Sequence, residues 1–156
     1  MVARDPRRRC TVPRGHGRSG PHAYARKRVL LMINDKKIVA FIPTLDFDKA
    51  RAFYVDTLGL RFVDNDGFAM VLDANGTMIR VAKVQPDFKP AIFTILGWEV
   101  SEIEKEVTEL TAKGVVFERF SFFTQDALGI WAAPGGAKVA WFKDPDGNTL
   151  SVSQHV

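Results

Sequence analysis

From Lys37 onward the apolar positions change period in a regular order. Ile38-Val39-Ala40-Phe41-Ile42 is a short apolar run of strand type, followed by Asp46, a residue suited to capping a helix N-terminus. Phe47, Ala50, Phe53, Tyr54 and Leu58 then recur at helical spacing, and Gly59 supplies a C-terminal stop. Three further strands are predicted over residues 60–64, 68–72 and 77–84. The Asn65-Asp66-Gly67 and Asn75-Gly76 segments between them read as hairpin turns, because Asn, Asp and Gly tolerate the positive φ that tight turns need. This stretch reads βαβββ.

The second half repeats the plan. A strand over 91–100 leads into a helix over 102–113, with Ile103, Val107 and Leu110 on its apolar face and Gly114 as its stop, and a strand over 115–120 follows. Strands over 137–143 and 149–153 come next, joined by Asp144-Pro145-Asp146-Gly147-Asn148, where Pro fixes φ and Gly takes the left-handed position. In such a turn Asp144 and Asp146 are expected to bond to nearby backbone rather than to act as an acid–base pair. Spacing supports the repeat. Gly59-Leu60-Arg61-Phe62 matches Gly114-Val115-Val116-Phe117 at an offset of 55, and Gly76 to Val81 matches Gly147 to Val152 at 71. The difference of 16 residues measures an insertion between Phe117 and Gly147. Its natural place is 121–136, a loop carrying Phe122, Phe123 and Trp131 that either walls a site or covers a sheet edge.

The 156 residues, 46% of them hydrophobic, suffice for one domain with a sizeable core. The net charge of +4 is unevenly spread: residues 1–31 hold nine Lys and Arg against one acid, which leaves the remainder at −4. An acidic body carries no basic stripe to neutralise phosphates, so no nucleic-acid partner is expected. Cys10 is the only cysteine, which excludes an intrachain disulfide and fits a reducing cytoplasm. The apolar run at 29–33 is too short for a signal-peptide core or a membrane span, so neither export nor a membrane partner is expected. Residues 1–31, rich in Arg, Gly and Pro, are expected to be disordered. They read as a solvated tail, as a basic arm for polyanions, or as non-native sequence ahead of a start at Met32; the compositional break at Met32 favours the last. Residues 32–156 then form a single domain.

Two βαβββ modules, with Asp46-Phe47-Asp48-Lys49-Ala50-Arg51-Ala52-Phe53-Tyr54, Leu58-Gly59-Leu60 and Trp141-Phe142-Lys143-Asp144-Pro145-Asp146-Gly147-Asn148, resemble the vicinal oxygen chelate superfamily of glyoxalases, bleomycin-resistance proteins and extradiol dioxygenases. The resemblance covers about residues 36–154. It implies an α+β fold in which the modules form a curled, partly open eight-stranded sheet around a cleft. It also implies pairing into a homodimer. Metal-using members carry His, Gln or Glu at positions that correspond here to Val39, Ile95, Arg80 and Ser151. Val and Ile have no donor atom, Arg brings a positive charge and a neutral Ser is a poor ligand, so no metal and no other cofactor is expected.

Strand alternation, with those four positions facing inward, lines the cleft with Val39, Phe41, Met78, Arg80, Ile95, Glu99, Ser151 and Ser153. Ile38, Ile42, Ile79, Val81, Leu96, Trp98, Leu150 and Val152 then face the core. Arg80 either holds a carboxylate or phosphate in bidentate fashion or pairs with Glu99. Trp131 and Trp141 stack on a flat ligand or serve packing. His155, the one histidine outside the basic head, reads as a surface residue. The candidate site is therefore Phe41, Arg80, Glu99, Trp131, Trp141 and Ser151, and the expected partner is a small planar or amphipathic molecule bound without metal. The alternatives are a lyase, isomerase or dioxygenase of the same superfamily with a non-standard site, with Glu99 as its base, and a non-catalytic dimeric interaction protein.

Overall fold

A computed structural model describes residues 33–156. The expectations for residues 1–31 lie outside them. The chain divides into a leading unit that ends at Asp35, of which Ile33–Asp35 forms one 3-10 turn, and a second unit, Lys36–Val156. Everything below concerns the second unit.

Its first module runs β1 (Val39–Thr44), α1 (Phe47–Arg51), β2 (Arg61–Asn65), β3 (Ala69–Ala74) and β4 (Thr77–Lys83). The second runs β5 (Thr94–Glu99), α2 (Ile103–Ala112), β6 (Trp131–Ala132), β7 (Lys138–Lys143) and β8 (Thr149–Gln154). Each forms a four-stranded sheet, ordered β1-β4-β3-β2 and β5-β8-β7-β6, in which the first and last strands pair in parallel and the rest are antiparallel. The identical strand order is the structural form of the sequence repeat. Gly59, Gly76, Gly114 and Gly147, the glycines that set the two offsets, all take positive φ, between 79° and 93°.

Asp46 caps α1 as expected, its carboxylate accepting from the Asp48 and Lys49 amides. Past Arg51 the helix widens into a π-helical segment, Ala52–Thr57, and ends in a bond from the Leu58 amide to the Phe53 carbonyl at 2.9 Å. The insertion breaks up the strand expected over 115–120. What remains is a single bridge between Phe117 and Phe142, and the short β6 resumes the edge of the sheet after the loop.

One core serves both modules. It joins Ile42, Ile79 and Val81 of the first sheet, Phe142, Leu150 and Val152 of the second, Tyr54 after α1, and Ile103, Val107 and Leu110 of α2. The aliphatic set expected on the core side is there, except Ile38, which precedes β1 and is exposed. Each sheet thus turns one face to this core and the other outward. Among the described residues no helix is long and apolar enough to cross a membrane.

Candidate functional site

Asp144 fixes the Asp-Pro-Asp-Gly-Asn turn as expected, whereas Asp146 bonds across to the first module instead of to nearby backbone. Asp144 accepts from the Asp146 and Asn148 amides at 3.0 and 2.8 Å. Its other oxygen accepts from the Tyr54 hydroxyl at 2.7 Å and from the Asn148 side-chain amide at 2.8 Å. Asp146 reaches the first module, accepting from the Thr44 hydroxyl at 2.6 Å and the Leu45 amide at 3.1 Å. The Asn148 amide also donates to the Pro43 carbonyl, while its Oδ1 is buried without a partner among the described residues. Burial, with Asp144 next to it, pushes the Tyr54 hydroxyl above the ordinary phenol range. These groups are spent on holding the two modules together.

On the outer face of the first sheet, register places Val39 opposite Met78 and Phe41 opposite Arg80. Val39, Phe41 and Met78 are exposed, Phe41 to 64%. A cavity of about 240 Å³ on this face is lined by Val39, Arg61, Val63, Val71, Asp73 and Met78, with Lys37, Ile38, Leu72 and Gly76 completing it. Arg80 does not pair with Glu99. Its guanidinium bonds Asp66 of the β2–β3 turn at 2.5 Å, because that turn curls over the sheet face, whereas Glu99 stands on the other sheet. The Arg80 bond, with the Ala69 and Phe68 amides, holds the Asp66 carboxyl down at about 2.

The second sheet's outer face is aromatic. Trp141 and Ser151 are opposite each other in the β7–β8 register, and Trp131 projects from the adjacent β6 opposite Val139. The Trp141 indole N–H donates to the Thr94 hydroxyl at 3.0 Å. Gly97 faces Ser151, and a Cβ there would come within 2.5 Å of Ser151 Oγ, so the glycine is what leaves the hydroxyl its space. Ser151 Oγ makes no hydrogen bond among the described residues. Glu99 is exposed, opposite Ser153, and borders a hollow beside α2 with Glu102, Glu106 and Glu109. Ser153 Oγ lies 3.3 Å from His155 Nε2. Ile95 does not face outward as expected: an irregularity between Thr94 and Leu96 adds a residue to β5, and Ile95 packs on the core. Trp98 faces the core and stacks on Phe142.

The candidate residues thus fall into two groups. Phe41 and Arg80 lie on the first sheet; Trp131, Trp141, Ser151 and Glu99 lie on the second. No hydrogen bond, ion pair or ring contact among the described residues joins the two groups. The residues that alternation missed are Thr94, which the β5 irregularity leaves on the outer side in place of Ile95, and Phe120 and Phe123, which the loop folds onto the tryptophans. The aromatic content of the loop was the signal for the latter pair.

A divalent metal does not fit the four positions at which metal-using members carry ligands. Val39 has no donor, Ile95 is turned to the core, Arg80 is cationic and engaged by Asp66, and Ser151 offers one neutral hydroxyl. Among the described residues no group of three or more His, Cys, Asp or Glu is placed to hold a metal ion.

Comparison with known structures supports the fold. A glyoxalase family protein from Bacillus anthracis superposes with a TM-score of 0.60 at 19% identity, over 78% of this chain and 95% of that one. A superfamily member from Sphaerobacter thermophilus gives 0.59 at 24% identity, over 77% and 97%. A lactoylglutathione lyase from Agrobacterium tumefaciens gives 0.58 at 19% identity, over 76% and 92%. Comparison with curated proteins yields no match. The family profile of the glyoxalases matches residues 37–152, from just before β1 into β8, so this chain belongs to the Glyoxalase/Bleomycin resistance protein/Dioxygenase superfamily.

Proposed function

We propose that the domain is a metal-free binding module of the bleomycin-resistance kind, holding a small planar or amphipathic molecule against the aromatic outer face of its second sheet. The observation that carries this reading is the juxtaposition of Trp131, Trp141 and the unengaged Ser151 hydroxyl on one face. Two indoles supply stacking area for a flat ring, and a hydroxyl supplies orientation, the usual division of labour in a small-molecule site. Phe41 and Arg80 form the opposite wall when a second copy of the chain brings its first sheet to this face, and Glu99 stands at the rim. The cleft is then a property of a homodimer.

Calorimetric titration with 2-naphthol, a flat neutral ring bearing one hydroxyl, tests the reading. The expected result is saturable binding at one site per chain, weakened about tenfold or more in Trp141→Ala, since base-like stacking on an aromatic ring carries roughly that much. A flat response from the wild-type protein and from variants with an opened loop would sink it.

A second reading, a non-catalytic dimeric interaction protein, is favoured by one observation: Phe123 lies over Trp131 and Trp141 and fills space a ligand would use. On that reading the aromatic cluster is a contact surface for protein.

A further inference from the structure

The aromatic face of the second sheet already carries a ring. Phe123 stacks on Trp131 with centroids 4.5 Å apart and planes 29° from parallel, and on Trp141 at 5.5 Å and 6°. Phe120 closes the side edge-on, 5.6 Å from Trp141 at 83°. Phe122 packs on both phenylalanines yet remains 74% exposed, so it contributes little to holding the corner shut.

The loop that delivers Phe123 is braced at its base and sparsely bonded at its tip. The Gln125 side chain donates to the Glu118 carbonyl at 3.1 Å and the Gly129 carbonyl at 2.7 Å, and accepts from the Phe120 amide at 2.8 Å. Asp126 accepts from the Leu128 and Ile130 amides, and the Arg119 guanidinium donates to the Asp126 and Ala127 carbonyls. Residues 121–124, by contrast, make one hydrogen bond among the described residues, from the Phe123 amide to the Phe120 carbonyl at 3.2 Å. The four-residue tip is thus tied to its base by one hydrogen bond and by packing on Phe120, and Phe123 is the ring that stacks it on the tryptophans.

We infer that Phe123 is a surrogate ligand carried by the chain itself: the Trp131–Trp141 corner takes a flat, uncharged aromatic ring, and Phe123 must leave before such a ring enters. The walls of the corner, Phe120, Trp131, Trp141, Thr94 and Ser151, carry no charge, and the Trp141 N–H is already committed to Thr94. Ring stacking and the Ser151 hydroxyl are what remain to recognise a ligand, which selects a flat ring over a saturated one of similar size. The inference rests on reading this face as the ligand site. Its consequence is a self-competition, in which observed affinity is the intrinsic affinity reduced by the fraction of molecules with the tip raised.

Titration of 2-naphthol and of its saturated analogue decahydro-2-naphthol into the wild-type protein and into Phe123→Ala, Phe123→Leu, Phe122→Ala and Trp141→Ala tests this. Phe123→Ala and Phe123→Leu are expected to bind 2-naphthol about fivefold or more tightly than wild type, by removing the competitor. Phe122→Ala is expected to match wild type, and decahydro-2-naphthol to bind none of the proteins well. Phe123→Leu keeps apolar bulk in the loop, so tighter binding there cannot come from a collapsed loop. Tighter binding by the Phe123 variants supports the surrogate even where wild type binds too weakly to measure. Unchanged or weaker binding by both Phe123 variants, with Trp141→Ala still abolishing the wild-type signal, overturns the surrogate and leaves the ligand site standing. No binding by any variant overturns both.

Discussion

Arg80 stands in mid-strand, its side chain 28% exposed, on a face otherwise lined by Val39, Phe41 and Met78. A guanidinium half-covered by apolar neighbours needs a partner, and Asp66 supplies one from a turn whose own conformation the same carboxylate fixes by accepting from the Phe68 and Ala69 amides. The Asp66 pKa is lowered from its ordinary value of 3.8 to about 2, first by the Arg80 bond. A depressed carboxyl pKa contributes stability that is complete above the unfolded value and is lost as pH falls through the folded one. The pair is therefore expected to persist through pH 4 and to break only as pH approaches about 2. A carboxyl-detected NMR titration checks this: Asp66 should titrate near 2 in the wild-type protein and move back toward 3.8 in Arg80→Met. An Asp66 that titrates normally in the wild type would show that the ion pair is not formed. Asp66 was legible as a turn residue from Asn65-Asp66-Gly67. Its service to Arg80 was not, because fourteen residues of chain must first fold into a hairpin before the two side chains meet.

At the scale of elements, the turns were the most legible features, since their chemistry is local. Asn75 at φ 50° and Gly76 at φ 88° form the β3–β4 turn that the Asn-Gly pair predicts. Gly76→Ala is expected to lower stability by about 1–2 kcal/mol, the cost of placing a Cβ in the left-handed region, as read by chemical denaturation. No neighbour lies within 4 Å of that Cβ, so the loss reports backbone conformation and not a clash. Less local features were harder to see. The widening of the first helix over Ala52–Thr57 leaves no mark in the spacing of apolar residues, and the expected strand at 115–120 is cut to a bridge because the insertion draws its chain away from β7. One extra residue at the start of β5 likewise exchanges Ile95 for Thr94 on the outer face, which is the sensitivity of any period-two argument to a single irregularity.

For the whole molecule, the modules are joined at two levels. Phe142 packs between Phe53 of the first module and Trp98 and Phe117 of the second, and the Tyr54–Asp144 and Thr44–Asp146 bonds cross the same seam. That joint uses the inner faces of both sheets; among the described residues the inserted loop covers part of the second sheet's outer face, and the first sheet's outer face stays exposed. The first sheet's outer face exposes Val39, Phe41, Val63 and Met78 close together, an apolar patch of the kind that marks an interaction surface. Under the proposed homodimer, sedimentation at micromolar concentration should report twice the chain mass, and Phe41→Asp should shift the protein to monomer without unfolding it. A wild-type monomer at that concentration would remove the two-copy cleft and leave each face to act alone.

The sequence by itself determined the repeat, the turns, the core-facing side of most strands and the family, because each follows from period, from residue-specific φ preferences or from motif order. It also placed Val, Ile, Arg and Ser at the four positions where the resemblance implies metal ligands. Tertiary structure decided which outward residues share a face, which carboxylate Arg80 meets, and where the inserted loop puts its rings. Those outcomes depend on register and on packing between segments far apart in the chain, where one added residue in β5 or one loop folded onto Trp131 and Trp141 changes the surface a ligand would meet.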